Sequence, residues 1–303
     1  MPPTRSKVLL AFAAVYVFWG STYLAIKIAL ETLPPFLMAG SRFVAAGLVL
    51  MAFARIRGTP APTARHWLSA AVVGGLLLLG GNGGVVWAQQ TVPSGLAALI
   101  VASVPLLMAV LDALRPGGAR PGPAAVLGLI GGFAGVALLV LSGGAGSGQV
   151  NPAAAAALLG ASLSWAVGSL LAKTLPLPAP LLAIGMEMIA GGMLQILAGL
   201  GLGEAARLDL AAVSARSWSA VAYLVVFGSL GGFVSYVWLL GVRPAAQVAT
   251  YAYVNPVIAV VLGWALAGEP LSGSALAAAV LIVGSVGLVT AAPPRPRPAV
   301  ATP

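Results

Sequence analysis

The chain has no cysteine, one histidine and six acidic residues in 303. Without cysteine there are no disulfides and no thiolate metal ligands. A single histidine, His66, cannot build a histidine-rich metal centre; it is expected as an interfacial residue at a helix start. The six acids lie on different segments, so the clustered carboxylates of an acid–base site are missing and no enzyme is expected. No GxxxxGK[ST] phosphate loop is present, which argues against ATP drive, and no cofactor is implied. Charge of either sign is scarce: Asp, Glu, Lys and Arg make up 7% of the chain, against about 25% in soluble domains. A water-facing surface cannot be built from so little.

What fills the chain is apolar. Hydrophobic residues reach 60% and mean hydropathy is +1.04. A membrane-spanning helix needs about 20 mostly apolar residues. Ten segments meet that need, at about 8–29, 35–54, 67–88, 93–114, 123–142, 153–173, 180–201, 217–240, 245–267 and 274–292. The fold class expected is an all-α integral membrane protein. The tail from Pro293 is expected to be a disordered cytoplasmic extension.

The second five segments echo the first five. Trp67, Trp87, Pro93 and Pro105 recur 151 residues later as Trp218, Trp238, Pro244 and Pro256, and Gly80-Gly81 as Gly231-Gly232. Trp19 and Lys27 recur 146 residues later as Trp165 and Lys173. Landmarks this rare point to internal duplication, with one five-helix repeat over 1–148 and a second over 149–292.

Lys and Arg set the orientation, because they stay in the cytoplasm. With the N-terminus inside, eleven of them fall in cytoplasmic segments, and only Arg207 and Arg216 fall in outer loops. Both termini are then cytoplasmic, and nucleic acid is not needed to explain the net charge of +9. Five helices per repeat is odd, so the second repeat enters the membrane inverted. Inverted repeats are common in secondary transporters, with the substrate at the repeat interface.

Intramembrane polar groups mark the candidate site. Trp19 and Tyr23 share a face of helix 1, as Trp165 and Ser169 do on helix 6; the two indoles fall at mid-depth. Helix 9 carries Gln247, Tyr251 and Asn255 at i, i+4, i+8, where helix 4 has Leu96, Ile100 and Val104. Asn82 sits among glycines on helix 3, opposite Phe233 in the second repeat. These residues are expected to line a substrate cavity, or else to hold helices together. Pro105 and Pro256 are expected to interrupt helices 4 and 9 as kinks or gates. Arg42 and Glu187, on corresponding helices, could form an ion pair, and Glu187 is the candidate proton carrier.

The chain resembles the drug/metabolite transporter superfamily, in particular its ten-helix EamA-type members. The resemblance is carried by Phe18-Trp19-Gly20-Ser21-Thr22-Tyr23 with Lys27, by Arg42, by Ala88-Gln89-Gln90, by Val254-Asn255-Pro256-Val257 and by Gly268-Glu269-Pro270-Leu271. It looks most like the YddG-type exporters of aromatic amino acids. What this implies is a bacterial inner-membrane exporter of small organic solutes. In the first repeat a basic loop from Arg115 to Arg120 stands where Glu269-Pro270 stands in the second, so any role of Glu269 is expected in one half only. The expected partners are a small-molecule substrate and the bilayer. Glycine patterns around Gly128, Gly132 and Gly135 leave a monomer and a weak homodimer equally open. A carrier of drugs, other metabolites or lipids, and a passive channel, are the alternatives.

Overall fold

The computed structural model describes residues 4–114, 121–141, 151–243, 248 and 250–291, and among these there is no β-strand. Helices follow one another directly: α1 Arg5–Ala29, α2 Pro35–Ile56, α3 Ala64–Ala88, α4 Ser94–Leu114, α5 Pro123–Leu141, α6 Pro152–Leu171, α7 Pro180–Gly201, α8 Ala215–Val242, α9 Tyr251–Ala267 and α10 Gly273–Ala291. A one-turn helix, Glu204–Arg207, lies between α7 and α8. Among the described residues seven of these, α1 to α4 and α6 to α8, are long and apolar enough to cross a membrane; α5, α9 and α10 contain shorter apolar helices. Gln247, the 115–120 loop and the tail from residue 292 lie outside the described residues.

Local sequence explains the helix starts. Proline opens α2, α6 and α7, where a missing N–H costs nothing and φ is already helical. Ser214 accepts from Ser217 N at 3.0 Å to cap α8. His66 works with Thr63: each backbone N–H of the pair donates to the other's side chain at 3.3 Å, so the one histidine completes a capping box at the start of α3. That is a helix-start role, as its position suggested.

The interior is made of contacts between the two halves of the sequence. α2 packs on α7, α5 on α10, α1 on α8 and α9, α4 on α9, and α3 on α6 and α7. The α2–α7 seam is the most extensive. A Cβ at Gly40 would stand 2.6 Å from Gly192 O, and one at Gly47 2.6 Å from Gly185 O. Glycine at these points lets two backbones touch, the small-residue packing that replaces the hydrophobic effect within lipid. Outward, large apolar side chains such as Leu10, Ile130, Leu197 and Val280 are more than half exposed, as a lipid-facing surface requires.

Gly47→Ala is therefore expected to push α2 off α7 and cost about 1–3 kcal/mol, the usual range for an overpacked interior. Gly160→Ala is the control, since nothing lies within 4 Å of its Cβ position. Thermal unfolding in detergent should show a lower midpoint for the first variant and none for the second.

Candidate functional site

Two helices leave the α-helical path at mid-length. Gly75–Asn82 within α3 and Leu224–Gly231 within α8 are π-helical. A π segment loosens the regular i to i+4 ladder and leaves carbonyls open to other donors. Side chains from other helices use them. Ser164 of α6 donates to Leu76 O at 2.7 Å and Gln195 of α7 to Leu78 O at 2.7 Å. On the other side, Trp19 Nε1 of α1 donates to Gly228 O at 3.1 Å.

The two tryptophans sit in matching places. The Trp19 indole lies against Gly232 of α8, and the Trp165 ring lies against Gly81 of α3. Phe18 borders Gly231 and Ser164 borders Gly80 in the same way. Each tryptophan thus rests on a glycine of the opposite half, at the end of a π segment. A side chain at either glycine would evict the ring.

Around Trp19 the aromatic side chains close up. Its ring centroid is 5.1 Å from Phe233, 5.2 Å from Tyr236 and 5.0 Å from Tyr251, and Tyr236 and Tyr251 are 5.8 Å apart. Edge-to-face pairs at such distances are favourable beyond the area they bury. The structure so brings Trp19 and Tyr251 together. Phe233 and Tyr236 complete the nest; neither stood out in the sequence, since an aromatic in an apolar helix carries no signal until its neighbours are known. Tyr23 instead packs toward the core containing Val92, Leu96 and Ile100, and its carbonyl accepts from Gln89 Nε2 at 2.9 Å. Ser169 is half-buried one turn beyond Trp165. Asn255 is buried, and with its amide nitrogen facing the carbonyls of Tyr251 (3.3 Å) and Tyr16 (3.2 Å) it ties α9 to α1. Tyr16 Oη and Thr250 Oγ1 add a second tie at 2.5 Å.

Arg42 and Asn82 form the second group. Arg42 is 3% exposed, and its Nη2 donates to Asn82 Oδ1 at 3.1 Å. No ion pair joins Arg42 to Glu187 among the described residues. The reason is helical geometry. The α2–α7 seam runs through Gly40, Val44 and Gly47 on one helix and Gly185, Ile189 and Gly192 on the other. Arg42 and Glu187 each stand two residues from a seam glycine, about 200° around the axis, so both turn away from the shared face.

The two prolines differ. Pro105 lies just past a real break: α4 turns at Ala102 and Ser103, where Ser103 N reaches Ile100 O and helix resumes at Val104. Ser103 Oγ is buried there without a partner. Pro256 sits inside an unbroken α9. The helix is thus broken beside Pro105 and continuous through Pro256.

Two carboxylates tie the halves at helix ends. Glu204 Oε1 and Oε2 accept from Phe36 N (3.2 Å) and Leu37 N (2.9 Å) at the start of α2. Glu269 Oε1 and Oε2 accept from Ser94 N (2.6 Å) and Gly95 N (3.0 Å) at the start of α4. Each follows a glycine in the left-handed region, Gly203 at φ +73° and Gly268 at φ +65°, which reverses the chain after α7 and α9 at little cost. Glu269 is the acid of the Gly-Glu-Pro-Leu motif, and Glu204 does the same work in the loop after α7. The repeated Gly-Glu pair after an apolar run was the available signal.

A cavity of about 610 Å³ lies elsewhere, between α4, α5 and α6, lined by Leu107, Phe133, Val136, Leu159 and Leu163 among others. All of its lining residues are apolar, so it offers nothing that would orient a polar solute.

A fold this apolar, tied across its two halves by side chains set at mid-depth, leads to relatives that move solutes. The model of the EamA-like transporter family matches residues 6–141 and again 152–291. The chain belongs to the EamA-like transporter family. It is 42% identical over 282 residues to the uncharacterized inner membrane transporter YedA of Escherichia coli (strain K12), covering 92% of this chain and 89% of that one. It is 31% identical over 300 residues to the uncharacterized transporter YvbV of Bacillus subtilis (strain 168), covering 95% and 92%. A solved crystal structure, 23% identical, superposes with a TM-score of 0.65 over 94% of this chain and 97% of its own, a likeness of fold alone. This EamA-family chain is thus a multi-pass membrane transporter, and its relatives are named as transporters rather than enzymes.

Proposed function

We propose that this EamA-family transporter is a secondary carrier that exports small amphipathic solutes, chiefly amino acids with aromatic or other apolar side chains and related metabolites. It does so by alternating access between two inverted five-helix halves, 1–148 and 149–292, in a bacterial inner membrane with both termini cytoplasmic. The observation that carries this reading is the aromatic nest of Trp19, Phe233, Tyr236 and Tyr251 at mid-depth, beside the polar pair Arg42 and Asn82. Rings of that kind suit an apolar side chain, and their lack of charge lets a substrate leave easily.

The duplication is supported by the twofold match of the family model and by the π segments, whose starts at Gly75 and Leu224 are 149 residues apart. In the orientation read from Lys and Arg, both glutamate caps lie on the outer side. So do Lys27 Nζ on Gln89 O at 3.0 Å and Ser217 Oγ on Ile28 O at 3.1 Å. These ties join the two halves on that side. Opening outward then requires them to part.

The test is uptake of a panel of radiolabelled amino acids into proteoliposomes, with and without a pH gradient. Saturable uptake with trans-stimulation is expected; unsaturable flux would favour a channel. Trp165→Ala should lower transport at least tenfold, and normal transport of every substrate by that variant would remove Trp165 from the site. Glu187→Gln tests coupling: proton-linked uptake left unchanged would clear that residue of the proton-carrying role.

A further inference from the structure

Arg42 presents a problem that the helix packing does not solve. Its guanidinium is buried, about 10 Å down α2 from Pro35 at 1.5 Å per residue. A buried charge is costly unless it is paired. Here one nitrogen bonds a neutral amide, Asn82 Oδ1, the group lies 4.3 Å from the centre of the Phe43 ring, and Nε has no hydrogen-bond partner. No carboxylate stands within 4.0 Å of it among the described residues. Three of the acids are held by other groups: Glu204 and Glu269 by backbone N–H groups, and Glu31 by Arg216 at 3.5 Å.

The position of the guanidinium is as telling as its charge. Nη1 lies 3.9 Å from where a Cβ would stand on Gly228, and the carbonyl of that same glycine takes the Trp19 indole N–H. One π-helical residue of α8 therefore borders both the cation and the aromatic nest. Asn82 holds the fork from one side, and Nε is buried without a partner.

We infer that Arg42, positioned by Asn82 and Gly228, is the anchor for the carboxylate of the transported solute, with the solute's apolar side chain directed to Trp19, Tyr236 and Tyr251. The inference rests on the reading of the protein as a carrier of amino acids, and it narrows the substrate class to amphipathic monocarboxylates. A planar fork matches a carboxylate with two parallel N–H···O bonds. A phosphate dianion would want a second cation, and Lys27 is occupied by Gln89 O.

The test compares L-phenylalanine, L-tryptophan and L-leucine with their carboxamides in proteoliposomes, for the wild type, Arg42→Gln and Arg42→Lys. The amides keep the side chain and the amino group and lose only the carboxylate charge. Wild type is expected to carry the acids at least tenfold better than the amides. Arg42→Gln should bring that ratio close to one by losing acid transport while amide transport persists, which also reports that the variant is folded. Should the glutamine variant carry neither class, Arg42→Lys decides: KM for the acids rising about tenfold with KM for the amides unchanged supports the anchor, and equal rises overturn it. A wild-type ratio near one, or the same acid-to-amide ratio in wild type and Arg42→Gln, overturns the anchor and leaves the carrier reading intact. If the wild type moves none of the six, the carrier reading falls first and the anchor with it.

Discussion

Glu204→Ala is expected to lower the stability of the folded protein by about 2–4 kcal/mol, and Glu269→Ala by a similar amount. Each carboxylate accepts two backbone N–H bonds at a helix start. Hydrogen bonds to a charged group contribute about 1.5–3 kcal/mol each, and a buried donor left without a partner costs about 1–3 kcal/mol. Water can reach the Glu269 end, where the side chain is only half-buried, more easily than Glu204, which is 1% exposed. The larger loss is therefore expected at Glu204. The negative charge at a helix N-terminus adds a smaller favourable term. Glutamine at either position keeps one acceptor oxygen and should lose about half as much. Thermal unfolding of the purified variants in detergent measures the effect. Midpoints unchanged by both alanine variants would show that the caps hold nothing together. The transport assay adds a second readout: if these ties close the outer side, their loss should shift the carrier toward the outward-open state. Accessibility of an outer-half cysteine introduced at Thr22 should then rise.

Trp19→Ala should be the most damaging single change at the site. It removes three ring contacts of 5.0–5.2 Å and leaves the Gly228 carbonyl without its donor. Truncation of a large aromatic in a packed interior costs about 3–5 kcal/mol, and transport is expected to fall at least a hundredfold. Trp19→Phe separates the two contributions. It keeps an aromatic ring against Tyr236 and Tyr251 but cannot donate to Gly228 O. If the indole bond holds the π segment in place, Trp19→Phe should fold nearly as well as wild type yet carry substrate about tenfold less efficiently, read as kcat/KM. Equal transport by Trp19→Phe and wild type would mean that the ring alone matters. Loss of folding without a selective loss of transport would mean that Trp19 only fills space.

The sequence made some of this legible and hid the rest for identifiable reasons. Helix positions followed from runs of apolar residues, and the expected segments lie close to the observed ones. Trp19 and Trp165 could be paired because tryptophan is rare enough for an offset of 146 residues to carry information. That each rests on a glycine of the opposite half could not be read, because glycines are too common here, 39 in all, for any one to be matched to a ring. Arg42 and Glu187 could have paired because their helices correspond. Their helices do touch, but the rotation of each about its own axis decides which side chains face the seam, and which face of a helix meets its neighbour is not encoded in composition. Glu204 does not stand out in the sequence because a glutamate in a short loop usually faces solvent; only the fold brings the start of α2 within 2.9 Å of it.

By itself, the sequence determined that this chain is helical, that it lives in lipid and that it carries few charges within it. These follow from hydropathy and helix length, which are properties of single segments, and each segment must satisfy its own backbone wherever it finally packs. Tertiary structure alone decided that two carboxylates of the later half close helix ends of the earlier half, that Pro105 breaks its helix while Pro256 does not, and that one residue, Gly228, borders both a buried cation and an aromatic nest. Such facts depend on the relative rotation and depth of helices far apart in the chain, which are set by the packing of all of them at once.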